Sequence, residues 1–330
     1  MSRVVVTGGC GFIGRHLVER LVDRGEAVTV FDGAPPPHGP VTTFVAGDVL
    51  DPTALATAIT ADVDLVVHLA AVVGVDRYLS RPLDVIDINV TGTRNVLERA
   101  AEVGARVVVA STSEVFGKNP AVPWREDDDR LLGPTSADRW AYSSSKALTE
   151  HLTFGFVRQR GLRATILRYF NVYGPAQRPG FLISRSIHRA LNRRPVVVYD
   201  DGRQTRCFTY VADVVGATLR AAESPRAVGQ AFNIGSMTET TVAEAASLVA
   251  SLAGPGVEVT SVNTRSALGS SYEDLQRRVP DNGKARALLG WRPTTGLTEG
   301  VAATIEWARA NPWWTALPDS GADPDLAAAA

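Results

Sequence analysis

Residues 4–17 read VVVTGGCGFIGRHL: three valines, a cluster of glycines, then a helical pattern. The short, continuous apolar run suits a parallel strand covered on both faces. Gly8, Gly11 and Gly14 stand at G-x-x-G-x-x-G spacing, with Phe12 and Ile13 between the last two. Such glycines permit a tight turn from strand into helix and let the backbone approach a pyrophosphate, which then sits on the helix N-terminus. A glycine pattern alone is a weak signal, because any tight turn can carry one. Here a second apolar run ends at Asp32, 18 residues past Gly14, where an acid accepts from a ribose 2′-hydroxyl and repels a 2′-phosphate. Gly33 follows with no adjacent Arg. The two signals together point to bound NAD rather than NADP.

Short apolar runs recur at Val4–Val6, Val28–Phe31, Thr43–Val45, Leu65–Leu69, Val107–Ala110 and Ala164–Leu167, separated by helical patterns such as IGRHLVERLVDRG, DINVTGTRNVLERAAEVGA and YSSSKALTEHLTFGFVRQRG. This alternation predicts an α/β chain with a doubly wound, Rossmann-like parallel sheet. After Leu167 the pattern loosens: RYFNVYGPAQRPG reads as a loop, FLISRSIHRALNRR as a helix, VVVYDDGRQTRCFTYV as strand, turn, strand, and TVAEAASLVASLAG as a helix. A smaller C-terminal α/β substrate domain is expected, with residues 1–169 and about 209–232 forming the NAD-binding unit and 170–208 and about 233–312 the other. A ligand would bind in the cleft between them. Residues 313–330, ending DSGADPDLAAAA, are expected to be a disordered tail.

A net charge of −1 over 330 residues supplies no global field to draw the chain to nucleic acid or a membrane surface. Cys10 and Cys207 are too few for a disulfide framework and fit a reducing compartment. The N-terminal apolar run is too short for a signal segment, and no run reaches the roughly 18 residues of a membrane span. A soluble, cytoplasmic protein is expected.

The fifth apolar run leads straight into Ser111, Thr112, Ser113 and Glu114, a row of polar groups that is costly to bury without partners. A site at the strand end would supply them. Tyr142 and Lys146 stand four residues apart, on one face of a helix. An ammonium close to a phenol favours the phenolate, so Tyr142 could take a proton from a substrate hydroxyl. Elsewhere such a pair is ordinarily a surface pair; beside the glycine loop it reads as catalytic.

The segments TGGCGFIG, GDVLD, VVHLAA, STSEVFG, YSSSK, RYFNVYGP and TRCFTYVADV, in that order, resemble the extended short-chain dehydrogenase/reductases of the nucleotide-sugar epimerase/dehydratase family. The resemblance runs to about Trp307. It implies tightly held NAD recycled within each turnover, and a homodimer in which helices near Asn89–Ala101 and Tyr142–Gln159 pair across a two-fold axis. It implies that Thr112 bonds the sugar 4-hydroxyl, that Tyr142 is the base, and that Lys146 tunes it and holds the nicotinamide ribose. Ser113 and Glu114 complete the catalytic set. Asp48 and Val49 would meet adenine, Leu69, Ala70 and Ala71 would line the pyrophosphate path, and Asn89 and Phe170 would lie near the cofactor. Asn171 and Arg206 would bind the diphosphate of the nucleotide sugar. Arg278 would close over the nucleotide, and Tyr272 is grouped with these substrate residues. Read alone, Arg206 and Arg278 are equally well solvated surface charges.

The shared step is oxidation at C4, after which a 4-keto sugar can be epimerised, decarboxylated or dehydrated. Dehydration is disfavoured, because the Asp expected between Thr and Glu is Ser113. Thr112-Ser113-Glu114, DRWAYSSSK and QTRCFT resemble UDP-glucuronate decarboxylases. YGPAQRPG resembles UDP-glucuronate 4-epimerases, with Arg178 placed to grip the carboxylate and keep a β-keto acid from losing CO2. On sequence the 4-epimerase is favoured and the decarboxylase is the alternative. A non-catalytic NAD-binding sensor is disfavoured by the retention of Thr112, Tyr142 and Lys146.

Overall fold

A computed structural model describes residues 1–33, 35, 43–74, 81–263 and 275–319. Its centre is a seven-stranded parallel sheet: β1 (Arg3–Thr7), β2 (Ala27–Asp32), β3 (Thr43–Ala46), β4 (Leu65–His68), β5 (Arg106–Thr112), β6 (Ala164–Tyr169) and, later in the chain, β11 (Ala231–Ile234). The order across the sheet is β11-β6-β5-β4-β1-β2-β3. The chain therefore winds outward from β1 to one edge, returns to β4, and winds to the other edge. The parting of β1 and β4 opens a crevice at their carboxyl ends, the place where such sheets bind ligands.

Alternation along β1 sends Val4 and Val6 into one core and Val5 into another, each almost fully buried. Helix α1 (Phe12–Asp23) covers the first face through Leu17, Val18 and Leu21. Helices α2 (Pro52–Ala58) and α4 (Thr93–Val103) cover the second through Leu55, Val96 and Leu97. Between a short α3 (Pro82–Ile86) and α4, residues Asp87–Gly92 form a π-helical turn that carries Asn89. The long α5 (Arg139–Arg160) runs beside β5 and β6 and stops at Gly161, whose φ of 66° favours glycine.

The expected strands after Pro195 form, and they do not pair with one another. These strands, β8 (Val196–Tyr199), β9 (Thr205–Arg206) and β10 (Thr209–Tyr210), each pair elsewhere: β8 with the parallel β13 (Val259–Val262), β9 with the antiparallel β12 (Thr240–Thr241), and β10 with the parallel β7 (Val172–Tyr173). The apolar pattern marks strands but not their partners. Around these pairs, helices α6 (Leu182–Leu191), α8 (Val242–Ala253) and α10 (Leu297–Ala310) bury Ile187, Val249 and Ile305 in a separate core. Helix α8 starts with the reciprocal capping of Thr241 and Glu244. Helix α7 (Val211–Glu223) returns to pack on the central sheet, as does α9 (Gly283–Leu289).

The expectation of a disordered tail beginning at residue 313 is corrected in its first part. A last turn, α11 (Pro312–Thr315), buries Trp314, whose indole Nε1 donates to the carbonyl of Gln177 at 2.8 Å. His188 bonds the carbonyl of Leu317, and Arg189 pairs with the buried Asp319 at 2.5 Å. Two aromatic rings outweigh the ordering entropy that the polar sequence suggested. Residues 320–330 lie outside the described residues. Trp314→Ala should lower unfolding free energy by about 3–5 kcal/mol in denaturant titration, the usual cost of emptying a buried aromatic site. A change below about 1 kcal/mol, the scale of a surface substitution, would show the segment is not part of the core.

Candidate active site

The glycine loop closes against the end of β4. Gly8 has φ of 70°, and a side chain there would bring its Cβ within 2.6 Å of the Ala70 backbone nitrogen. A Cβ on Gly14 would overlap the Gly8 carbonyl. Gly11 starts α1 with no side-chain cap, which leaves the first amides of the helix to an outside anion. Phe12 and Ile13 form the first turn beside them. Asp32 ends β2 and is fixed by two backbone donors, Cys10 at 3.0 Å and Gly33 at 2.8 Å. An ionised carboxylate holds about four lone-pair sites, so acceptor capacity remains for ribose hydroxyls. Asp48 follows β3 in a turn, accepting from Leu50 at 2.9 Å, and Val49 packs beside Gly92. Leu69, Ala70 and Ala71 continue β4 along the crevice, half-buried. This bare-backbone cradle, with an acid at its far end, fits a dinucleotide.

Asn89 is fully buried and bridges the two sides of the crevice. Its Oδ1 accepts from Val72 at 3.2 Å, and its Nδ2 donates to Ser145 at 3.1 Å on α5. Phe170, expected near the cofactor, directly follows β6, and its ring is fully buried in a cluster with Phe116 and Trp124, 6.4 and 6.3 Å between centroids.

The polar row of β5 resolves into three separate arrangements. Ser111 Oγ donates to Glu150 at 2.5 Å. Thr112 ends the strand and accepts from the Glu114 amide at 3.2 Å, capping the 3₁₀ turn Ser113–Phe116. Ser113 is buried. Glu114 is held between two guanidinium groups, Arg139 at 2.6 Å and Arg278 at 3.1 Å. Burial opposes its charge, but the two arginines prevail and hold the carboxyl at about 2. Arg278 lies 164 residues from Glu114 along the chain, so this cluster ties distant segments together.

Tyr142 and Lys146 lie buried one turn apart on α5. Lys146 Nζ donates to the carbonyl of Ala110 at 2.9 Å, which anchors it beneath the β5 end. Burial pushes the ammonium down to about 8, with the charge of Glu150 working against that shift. His68, at the end of β4, bridges Thr7 at 2.7 Å and Thr93 at 3.0 Å. Burial and then the Lys146 charge push it down to about 3, so it stays a neutral strut.

On the other side, Asn171 adopts φ of 37°, and its buried Nδ2 has no hydrogen-bond partner among the described residues. Such a donor marks where a ligand acceptor fits. Arg206 is buried on β9 and donates to the Leu275 carbonyl at 2.8 Å. Arg178 donates to the Val73 carbonyl at 2.9 Å and lies over the Phe181 ring. Tyr272 lies outside the described residues. Sequence reasoning missed Arg139, Glu150, Arg168 and His68. Arg139 stands three residues before Tyr142 and is 2% exposed, a burial that its charge does not signal in the sequence. Among the described residues no group of acids, histidines and cysteines could hold a metal ion, and no helix is long and apolar enough to cross a membrane.

Comparison with known proteins extends over most of the chain. Residues 4–235 match the model of the NAD dependent epimerase/dehydratase family. UDP-N-acetyl-alpha-D-glucosaminuronate decarboxylase from Bacillus cytotoxicus is 39% identical over 93% of this chain and 98% of its own. UDP-glucuronic acid decarboxylase 1 from Xenopus tropicalis is 33% identical over 93% of this chain and 72% of its own. Among solved structures, UDP-glucuronic acid 4-epimerase from Bacillus cereus, in complex with UDP-glucuronic acid and NAD, has a TM-score of 0.81 at 27% identity, covering 93% of this chain and 99% of that one. With a family model spanning more than half its length and a relative 39% identical over 98% of its own length, this chain is an enzyme of the NAD-dependent epimerase/dehydratase family, and NAD is its cofactor.

Proposed function

We propose that the enzyme oxidises C4 of a UDP-linked uronic acid and releases its carboxylate as CO2, making it a UDP-uronate decarboxylase. The observation that carries this reading is Glu114, ionised and clasped between Arg139 and Arg278 at the end of β5. Sequence alone favoured the 4-epimerase through Arg178. Two observations support the opposite order: the Glu114 carboxylate engages two guanidiniums that could otherwise grip a substrate carboxylate, and the highest identity reported above is to a uronate decarboxylase.

The chemistry NAD supplies when bound is to accept a hydride from C4 and later return it. Gly8, Gly11, Gly14 and Asp32 would hold it. Thr112 orients the 4-hydroxyl and Tyr142 takes its proton, while the Lys146 ammonium lowers the cost of the phenolate. The carboxylate at C6 is then β to a ketone. The C5–C6 bond breaks, its electron pair moves toward the C4 oxygen as an enolate, CO2 leaves, and C5 is reprotonated. Glu114 keeps the guanidiniums of Arg139 and Arg278 off the departing carboxylate, so neither holds its charged ground state against loss of CO2. Asn171 and Arg206 bind the diphosphate. The 4-epimerase reading keeps one observation of its own: Arg178, half-buried on the loop after β7, stands in the QRP segment where a carboxylate clamp is expected.

Incubation with UDP-glucuronate and with UDP-N-acetylglucosaminuronate, both carrying ¹³C at C6 and without added NAD, should yield labelled CO2 and a UDP-pentose or its 4-keto form by NMR. Tyr142→Phe should stop this while retaining bound NAD. A 4-epimeric uronate with the label retained would overturn the decarboxylase in favour of the epimerase. Glu114→Gln should cut CO2 release at least tenfold, with the uronate substrate still bound.

The same variant has a stability signature. Glu114 has a folded value of about 2 against an ordinary 4.5, so its charge stabilises fully above pH 4.5, and that contribution is lost as pH falls through about 2. Glu114→Gln should be less stable than wild type at pH 7 by roughly 3 kcal/mol, the scale of a broken buried pair. The gap should close between pH 4.5 and 2 in denaturant titrations. A gap constant with pH would mean that the carboxylate charge is not the stabilising feature.

A further inference from the structure

Behind the Tyr142–Lys146 pair lies a second ionic network that no step above uses. Tyr142, Lys146 and Glu150 follow one another at four-residue spacing along α5, so all three share one buried face. The Glu150 carboxylate accepts from Ser111 Oγ at 2.5 Å, Arg168 Nε at 2.9 Å and Arg168 Nη2 at 2.7 Å. Ser111 and Arg168 are register partners in the β5–β6 pair, so the three residues bolt α5 across two central strands. The remaining end of Arg168 donates to the Glu126 carbonyl at 2.6 Å, which fixes the fork. Ser111 directly follows Ala110, whose carbonyl receives the Lys146 ammonium. One strand end thus anchors both the lysine and its neighbouring acid.

We propose that Glu150, locked by Ser111 and Arg168, is a positioning residue for proton transfer at C4: it sustains the positive charge on Lys146 and aims that charge at Tyr142. The proposal rests on the family's oxidation chemistry and on the roles given above to Tyr142 and Lys146. A buried ammonium loses hydration, and one hydrogen bond to a neutral carbonyl does not replace it. An acid fixed one turn away supplies the missing field. The other charged and titratable groups around this face do not substitute for it. His68 on β4 is neutral, Arg168 on β6 is itself cationic, and Glu114 beyond the strand end is committed to Arg139 and Arg278. The lysine's own position supports the assignment, because burial draws its titration down to about 8 and Glu150 is the acid that resists this.

The chain contains three lysines, Lys118, Lys146 and Lys284, so ¹³Cε-lysine labelling of the NAD-loaded enzyme gives a spectrum that Lys146→Met assigns. In wild type the Lys146 signal should titrate near 8. In Glu150→Gln it should titrate about one pH unit lower, and Glu150→Asp should restore most of the difference. The alkaline limb of kcat should move with it. Because Glu150→Gln leaves Arg168 buried with no carboxylate, the double variant Glu150→Gln/Arg168→Met provides a form without a lone charge, and the same downward shift is expected there. A Lys146 titration unmoved in either folded variant overturns the proposal. The titration is read without substrate, so it stands or falls separately from the choice of sugar or of reaction outcome.

Discussion

A single ammonium group, that of Lys146, is buried at the middle of this molecule, and much of the surrounding architecture serves to solvate it. Water is excluded there by α5 on one side and the ends of β4 and β5 on the other. Removing a charge from water costs several kcal/mol unless the protein replaces the lost contacts. The carbonyl of Ala110 at 2.9 Å is one replacement. A neutral His68 held by Thr7 and Thr93 avoids adding a like charge. The burial that makes the charge costly also makes it effective, because in a low-dielectric site it acts strongly on a neighbouring phenol.

The same physics operates at Glu114 with the sign reversed. There one half-buried carboxylate sits between two guanidiniums, and the attraction overcomes desolvation far enough to hold it ionised. One partner, Arg139, opens α5, and the other, Arg278, comes from a segment 164 residues further along the chain. A charge triad of this kind is directional as well as stabilising. It sets the position of Arg278 relative to the end of β5.

How much of this was legible in the sequence depended on distance along the chain. Val4–Val6, the glycines and Asp32 lie within one βαβ unit, so local spacing sufficed to place them. Tyr142 and Lys146 were readable because four residues is a helical turn. Thr112 and Glu114 were readable as anomalies, polar groups ending an apolar strand. Pairings across long separations were not. Glu150 meets Arg168 only because β6 is in register with β5, and nothing in either segment encodes that alignment. β8 pairs with β13 across about sixty residues, so a local reading marked the strand but not its partner. β11 was hidden by Asn233, a fully buried amide inside a four-residue strand; it is tolerated because its Nδ2 donates to the Trp124 carbonyl at 2.9 Å. The tail misled because its composition is polar while two tryptophans do the packing.

The loop from Asn171 to Arg178 unites these elements into a site. Asn171 and Ala176 have φ of 37° and 64°, values that cost a non-glycine residue of order 1 kcal/mol or more and persist only where the surroundings dictate them. Three contacts do so. His16 on the cofactor-side helix α1 donates to the Pro175 carbonyl at 2.8 Å, Trp314 of the C-terminal turn donates to Gln177, and Arg178 reaches the Val73 carbonyl beyond β4. Each contact comes from a different part of the chain, and each acts on backbone or on the loop's own guanidinium. The loop is thus tied to the dinucleotide cradle on one side and to the second core on the other. Its strain is the cost of that double tie, and a looser loop would relieve the dihedrals of Asn171 and Ala176 while freeing the cradle and the second core from one another.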